Sequence, residues 1–324
     1  MRLTIAILLG VLAAAVIFGG VLYDIALNAR AWRIMWLLFD RKKKRDDPAN
    51  WGVFSSDFLA RTAWKEAFVS SFDGLRLRAI CIPARAGGAW AILCHGYSGR
   101  SEEMSVFAER MRRLGYGVLM PDARGHGKSQ GNYAGRGWKE RRDVLRWAEF
   151  LHAEYRAGRI VLFGISMGAA TVLMASGEDD FPEYVAAIVA NSAYTSIRDE
   201  FAHVLRHRMH LPATPVLWCM EWVTRLRAGY SLLRDGSVLS QVAKARAPVL
   251  FLHGEADTFV PFAMCDMLYR QARCPKERFT VPGAGHVMSF SVDPKGYWTT
   301  VEGFLRKYAP PEHGTISRMS ASKE

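Results

Sequence analysis

One serine in the sequence lies in a setting that can make its hydroxyl a nucleophile. Residues 164–168 read GISMG and lie between an apolar run at 159–165 and a helical pattern. Glycines on both sides of Ser166 allow a sharp strand-to-helix turn, because larger side chains would clash with the neighbouring strand and helix. Such a turn exposes the serine where the N–H groups and the dipole of the following helix favour negative charge. The motif therefore predicts that Ser166 attacks a carbonyl group.

Later in the chain, an acid and a histidine occur in the order that such a serine requires. A serine hydroxyl is a poor nucleophile without a base, and the base needs an acid that orients it. One apolar run ends in GEAD, which places Asp257 just past a strand, with Glu255 as the alternative acid. The next run ends in PGAGH, which places His286 in a glycine-rich loop at the same edge. We therefore predict Asp257 as the acid and His286 as the base.

Two backbone N–H groups are candidates for stabilising the oxyanion that this attack would create. Met167 follows the nucleophile, so its N–H lies at the start of the next helix. HGYSG at residues 95–99 follows an apolar run, and its glycines allow the backbone to turn back towards the nucleophile. We predict an oxyanion hole formed by the N–H groups of Met167 and Tyr97. His95 is expected to be a structural imidazole bonded to the loop backbone rather than a base.

The elements that must position these residues alternate along the chain. Six apolar runs begin at residues 89, 116, 159, 185, 248 and 278, with amphipathic stretches between them. Apolar runs without internal alternation are typical of strands covered on both faces. Strands that alternate with helices imply βαβ units, so we predict an α/β fold with a mainly parallel sheet and helices on both faces. Two further strands flank the turn residues Asp73 and Gly74.

The interval between residues 193 and 246 breaks this alternation, because it contains helical patterns and no good strand. An insertion of this kind above strand ends predicts a small helical cap. Its tryptophans and methionine would either line an acyl pocket or pack on the body. His203, His207 and His210 are spaced i, i+4 and i+7 along one helix, but no HExxH carboxylate accompanies them. We predict a polar helix face there and no metal site.

Five motifs occur in an order that resembles one large superfamily. They are HGYSG at 95, DARGHGKS at 122, GISMGA at 164, HGEADTFVP at 253 and GAGH at 283, within residues 68–307. The chain resembles the α/β-hydrolase superfamily. It is most similar to bacterial membrane-anchored serine hydrolases of the esterase or lipase kind, related to monoglyceride lipases and prolyl-oligopeptidase-like domains. The resemblance implies the roles given above for Ser166, Asp257 and His286, and a structural role for residues 122–127. It does not transmit a substrate, since this fold supports many chemistries.

The N-terminal segment has the composition of a membrane helix. Residues 3–23 read LTIAILLGVLAAAVIFGGVLY and carry no charge. About 20 apolar residues in a helix cross a bilayer, so we predict an uncleaved transmembrane anchor, with a cleaved signal peptide as the alternative. Arg30, Arg33 and RKKKR at 41–45 follow. This excess of basic residues predicts a single-pass protein whose catalytic domain is cytoplasmic, and it would also attract anionic headgroups.

The predicted division of the chain is an anchor at 1–45, a hydrolase domain at 46–309 and a polar tail at 310–324.

The charge and the cysteine content limit the classes of binding partner and of covalent cross-link that the chain can have. The 324 residues include 43 Lys and Arg against 31 Asp and Glu, a formal net charge of +12. This balance permits nucleic acid or an anionic membrane as a partner. The sequence contains no P-loop, GxGxxG or nucleic-acid motif, so we predict no cofactor and no nucleic-acid partner. Five scattered cysteines without CxxC spacing exclude a complete disulfide framework.

These patterns together predict a membrane-anchored serine hydrolase. It would cleave a carboxylic ester or thioester of a small-molecule or lipid-like substrate through an acyl-enzyme. A peptidase or amidase is the alternative among enzymes, because the triad chemistry is the same. The alternative outside enzymes is a membrane-tethered binding protein on an inactive hydrolase fold.

Overall fold

An eight-stranded sheet organises the residues that the computed structural model describes, which are 2–28, 57–83 and 87–311. Its strands are β1 (Lys65–Ser70), β2 (Arg76–Ile82), β3 (Trp90–Cys94), β4 (Gly117–Pro121), β5 (Ile160–Ile165), β6 (Val185–Asn191), β7 (Val249–Gly254) and β8 (Lys276–Val281). They lie in the order β1-β2-β4-β3-β5-β6-β7-β8. The pairs β1–β2 and β2–β4 are antiparallel and the other pairs are parallel. The prediction of a mainly parallel sheet is therefore confirmed.

The central strands are buried on both faces, as their unbroken apolar sequences predict. Every residue of β3, β4, β5 and β7 is buried, whereas β1 and β8 at the two edges are partly exposed. Cys94 at the end of β3 pairs with Gly164 of β5. Gly254 at the end of β7 pairs with Val281 of β8. The carboxyl ends that carry the sequence motifs therefore lie along one edge of the sheet.

Helices cover both faces of the sheet. They are α1 (Arg2–Ala26), α2 (Asp57–Ala60), α3 (Ser105–Arg113), α4 (Glu140–Tyr155), α5 (Met167–Ala175), α6 (Ile197–His207), α7 (Ala213–Ala228), α8 (Val238–Val242), α9 (Phe262–Gln271), α10 (Ser289–Val292) and α11 (Pro294–Tyr308). Buried side chains of α4, α5 and α9 belong to one hydrophobic core. Those of α3 and α11 belong to a second core. The prediction of helices on both faces is thus confirmed.

Helices α6, α7 and α8 lie between β6 and β7 in the chain, where the sequence predicts a cap at 193–246. Met220 and Tyr230 are buried in the first core, so this part of the segment packs on the body. Trp218 and Trp222, by contrast, are 61% and 70% exposed. The two tryptophans therefore face outward, and the idea that they line an acyl pocket is not supported.

The structure does not support the prediction of a membrane-spanning helix at residues 3–23. In residues 2–28, 57–83 and 87–311, no helix meets the length and hydropathy that a membrane span requires. The second half of α1 instead packs against cap helix α7. A Cβ at Gly19 would lie 2.5 Å from the carbonyl oxygen of Cys219, and Leu22, Tyr23 and Leu27 are buried. These residues contact protein because burial against the cap removes their apolar surface from water.

Several predicted features lie outside the described residues. They are the basic positions Arg30 and Arg33, the cluster at 41–45 and the polar tail beyond residue 311. The cytoplasmic placement of the catalytic domain stays a prediction.

Candidate active site

Ser166 forms a sharp turn between β5 and α5. Its backbone has a φ of +52° and a ψ of −116°, a combination that is costly for a residue with a side chain. A Cβ on Gly164 would clash with the backbone of Gly168, and one on Gly168 would clash with the backbone of Cys94. The Ser166 N–H donates to the Asn191 carbonyl on β6 at 2.8 Å. Both motif glycines thus serve the steric purpose that the sequence indicates.

The structure brings the three predicted residues together as a hydrogen-bonded series. His286 Nε2 lies 2.9 Å from Ser166 Oγ, and His286 Nδ1 lies 2.7 Å from Asp257 Oδ2. Ser166 and His286 are separated by 120 positions in the chain. Asp257 is buried, whereas the His286 side chain remains 17% exposed. This arrangement orients one imidazole nitrogen towards the serine and the other towards a carboxylate.

The carboxylate of Asp257 is held in its charged form. Its Oδ1 accepts hydrogen bonds from the N–H groups of Phe259 and Val260, both at 2.9 Å. Burial by itself would raise the pKa of Asp257. The hydrogen bonds and charges of His253 and His286 outweigh burial and hold that pKa well below its ordinary value. Asp257 therefore remains negative across the pH range in which histidine titrates.

His253 is a second histidine beside Asp257, and the sequence analysis did not identify it. Its Nε2 lies 2.9 Å from the Val260 carbonyl oxygen and 3.3 Å from Asp257 Oδ2. Burial would lower the pKa of His253, but interaction with the Asp257 carboxylate outweighs burial and raises it to about 9. The signal was present in the sequence as the histidine of HGEAD, four positions before the acid. Its position at the end of a buried apolar run indicates only a strand residue.

The loop at residues 95–99 lies against the nucleophile. A Cβ on Gly96 would be 3.5 Å from the Cβ of Ser166, so the backbone of this loop passes beside the serine. Tyr97 follows Gly96 in this loop, and Met167 is the first residue of α5. The two segments expected to supply oxyanion donors therefore flank the Ser166 side chain. The donor roles of Tyr97 and Met167 stay a prediction.

Two buried histidines fix the conformation of this loop. His95 Nδ1 lies 2.7 Å from the Gly96 carbonyl oxygen, and its Nε2 accepts from the Ala123 N–H at 3.0 Å. His126 Nε2 accepts from the Ser98 N–H at 3.2 Å. Burial lowers the pKa of both histidines, to about 3 for His126, so each is neutral and can accept. His95 is therefore the backbone-bonded imidazole that the sequence predicts.

The same loop is tied to the end of α1. The Tyr97 hydroxyl donates to the Ala26 carbonyl oxygen at 2.6 Å, and Arg136 donates to that oxygen at 2.9 Å. The Arg136 guanidinium also stacks on the Tyr97 ring, with its carbon 3.4 Å from the ring centroid. Arg136 is buried and pairs with Glu200 of α6 at 3.5 Å. Neither Arg136 nor Ala26 was predicted, because nothing in their local sequence signals this contact.

The loop at residues 122–127 supports the site rather than entering it. Both oxygens of buried Asp122 accept backbone N–H groups, from Ser101 at 2.8 Å and from Lys128 at 3.0 Å. Arg124 forms paired hydrogen bonds with Asp143 and with Asp73. These contacts agree with the structural role that the resemblance implies.

The alternative acid and the histidines of the cap lie outside the hydrogen-bonded series of Ser166, His286 and Asp257. Glu255 accepts a hydrogen bond from Thr280 at 2.7 Å in an exposed position, so it does not orient His286. His203 contacts the Thr258 carbonyl at 2.9 Å and stacks beside His207. Within the described parts of the chain, no group of three or more His, Cys, Asp or Glu residues could hold a metal ion.

Comparisons with known proteins identify similar sequences. The serine aminopeptidase, S33, family model matches residues 88–219. The uncharacterized protein YqkD of Bacillus subtilis is 27% identical over 311 residues, which cover 93% of this chain and 96% of that protein.

Two solved structures share the fold. The Pyrococcus furiosus esterase Pf2001 is 24% identical and superposes with a TM-score of 0.63, covering 78% of this chain and 94% of that one. The Pyrococcus horikoshii acylaminoacyl peptidase is 18% identical with a TM-score of 0.57, covering 80% of this chain and 44% of that one. The sheet order, the strained serine turn and these similarities together show that the chain has the α/β-hydrolase fold.

Proposed function

We propose that the protein is a serine hydrolase that cleaves carboxylic esters or thioesters, with Ser166 as its nucleophile. The observation that carries the proposal is the hydrogen-bonded series of Ser166, His286 and Asp257 at the carboxyl edge of the sheet. The fold shared with esterase Pf2001 supports an ester as the substrate class.

The proposed reaction proceeds through an acyl-enzyme. His286 Nε2 takes the proton of Ser166 as its Oγ bonds to the substrate carbonyl carbon, and Asp257 stabilises the resulting imidazolium. The proton then passes from His286 to the leaving alcohol or thiol as the bond to the carbonyl carbon breaks. A water molecule that gives its proton to His286 next attacks the acyl carbon and releases the acid. In both halves the oxyanion would accept from the N–H groups of Met167 and Tyr97.

A peptidase or amidase is the second candidate. The match to the serine aminopeptidase family model favours it, as does the fold shared with an acylaminoacyl peptidase. The same triad would act, but His286 would have to protonate a leaving amine. Turnover of an amide distinguishes the two candidates, because a peptidase would also cleave the more reactive ester with the same acyl group. We expect the ester to be cleaved and the matched amide to show no measurable turnover.

A fluorophosphonate probe tests the assignment of the nucleophile. We expect covalent labelling of the full-length wild type, complete loss in Ser166→Ala, and unchanged labelling in the control Ser240→Ala. Ser240 is an exposed serine in α8 that contacts Ser237, so its loss leaves the triad intact. Labelling that persists in Ser166→Ala would contradict the proposal. A folded wild type that neither reacts with the probe nor cleaves esters would favour the non-catalytic binding protein instead.

A further inference from the structure

The outer face of the cap carries an apolar stripe. Trp218, Trp222 and Leu226 of α7 are 61%, 70% and 81% exposed. They are spaced i, i+4 and i+8, so they line one side of the helix. Exposed large apolar side chains that form a contiguous stripe are uncommon on a surface that faces only water, and they mark an interaction site.

Helix α1 packs beside α7 and carries a second set of exposed apolar residues. The two helices touch where Gly19 meets the backbone of Cys219, and Asp24 pairs with Arg227 at 3.1 Å. On the side of α1 away from Gly19, four large apolar residues are exposed to between 44% and 68%: Ile17, Phe18, Val21 and Ile25. The two stripes belong to helices that pack side by side. We call these seven residues of α1 and α7 the cap face.

Basic side chains outnumber acidic ones around the cap face. From residue 206 to residue 229 the exposed charged side chains are Arg206, Arg208, Arg225 and Arg227. The acid of this segment, Glu221, is buried and pairs with Arg225, and Asp24 of α1 pairs with Arg227. Arg206 and Arg208 are exposed beyond these two pairs. Tryptophan at an apolar–polar boundary, flanked by arginine, is typical of a surface that meets lipid headgroups.

The end of cap helix α6 reaches the candidate active site. Arg208, at the end of α6, lies over the ring of Phe259, with its guanidinium carbon 5.0 Å from the ring centroid. The Phe259 ring in turn lies 4.9 Å from the ring of His286. The segment that joins α6 to α7 therefore begins beside a residue that contacts His286.

We propose that the cap face docks on the surface of a lipid bilayer that contains anionic headgroups. Trp218, Trp222 and Leu226 insert among the headgroups, and the flanking arginines contact lipid phosphates. The helices lie along the surface. Docking does not depend on the proposed hydrolase activity.

Cosedimentation with vesicles tests the proposal on the full-length protein. We expect binding to phosphatidylcholine–phosphatidylglycerol vesicles, with a blue shift in tryptophan emission. Trp218→Ser combined with Trp222→Ser should weaken that binding at least about tenfold, because two large side chains no longer leave water. Trp64→Ser is the matched control, since Trp64 is 42% exposed and lies just before β1, outside the cap face. It should bind as the wild type does.

A charge-reversal variant provides a second, independent test of the proposal. Arg206→Glu should weaken binding to the anionic vesicles by about fivefold or more, because each basic residue near such a surface contributes about 1 kcal/mol. The preference over pure phosphatidylcholine vesicles should also shrink as salt is added. Both variants should keep the wild-type melting temperature and the wild-type rate on p-nitrophenyl acetate, which shows that the fold and the site are intact.

Three outcomes would overturn the proposal. The first is wild-type vesicle binding by the double tryptophan variant. The second is binding that is indifferent to lipid charge. The third is a wild type that ignores vesicles and forms a dimer that the double variant abolishes, which would make the cap face a contact between two copies. Ser166→Ala should bind vesicles normally, so failure of the proposed catalysis and failure of docking are separate results.

Discussion

At the scale of single residues, Asp257 is the centre of the candidate site. It receives hydrogen bonds from two backbone N–H groups and faces His286 and His253 through the same oxygen. A carboxylate with this many donors is fixed in position and stays charged. His286 is therefore oriented by an acid that is itself held rigidly. His253 is not placed to touch substrate. We therefore regard it as a residue that holds Asp257 in position and offsets its negative charge.

The raised pKa of His253 predicts a pH dependence of stability. Its value of about 9 in the folded protein exceeds the ordinary 6.5, so the folded state binds the proton more tightly. The resulting stabilisation is fully present below about pH 6.5 and is lost as the pH rises through 9. We expect the stability difference between the wild type and His253→Gln to shrink over that interval. Urea unfolding at a series of pH values measures it, and a constant difference would contradict the assignment.

At the scale of elements, the loop at residues 95–99 links α1 to the nucleophile. One side of the loop is fixed by the neutral imidazoles of His95 and His126. The other side is fixed by Tyr97, whose hydroxyl caps the last carbonyl of α1 and whose ring supports Arg136. The loop that would donate to the oxyanion is thus held from both directions.

Tyr97→Phe separates the hydroxyl of this residue from its backbone N–H. The variant loses one hydrogen bond to Ala26, so we expect the free energy of unfolding to fall by about 1 kcal/mol. Because the N–H remains, kcat should fall much less than the roughly hundredfold or more that removal of an oxyanion donor causes. KM should change little. A loss in kcat of a hundredfold would instead show that the hydroxyl itself acts on the substrate. Denaturant unfolding and steady-state kinetics provide the two readings.

At the scale of the whole molecule, α1 is part of the folded body. Leu22, Tyr23 and Leu27 belong to the first hydrophobic core together with residues of the cap. The Ala134 N–H donates to the Leu27 carbonyl at 2.8 Å, and Asn28 pairs with Tyr133 as an isolated β-bridge. The N-terminal segment therefore contributes to the core, to the cap and to the loop beside Ser166.

Deletion of residues 1–28 tests this role. Burial of three large apolar side chains is worth about 1.5–3 kcal/mol for each, so the free energy of unfolding should fall by roughly 5 kcal/mol. Guanidinium unfolding of the truncated and full-length proteins measures this difference. A deletion of residues 1–10 is the control, because it keeps every contact from Gly19 onward. Equal stability of the full-length protein and the longer deletion would contradict the packing of α1.

The sequence by itself determined the nucleophile turn, the order of Ser166, Asp257 and His286, and the mainly parallel sheet. These features depend on local causes: glycines that avoid backbone clashes, and apolar runs whose lengths suit buried strands. The sequence did not determine where α1 packs or which side chains of the cap are exposed. An apolar helix has the same sequence pattern whether lipid or protein covers it, so composition could not separate the two.

Only the tertiary structure decided the contacts between distant parts of the chain. Tyr97 and Ala26 are 71 positions apart, and Arg136 and Ala26 are 110 positions apart. No local pattern encodes such pairs, because each depends on how two separate elements are placed by the core between them. The same reason hid the outward orientation of Trp218 and Trp222. The candidate catalytic residues thus lie in short motifs that the sequence reveals. The contacts that hold them in place, and the exposed surfaces, depend on packing between distant elements.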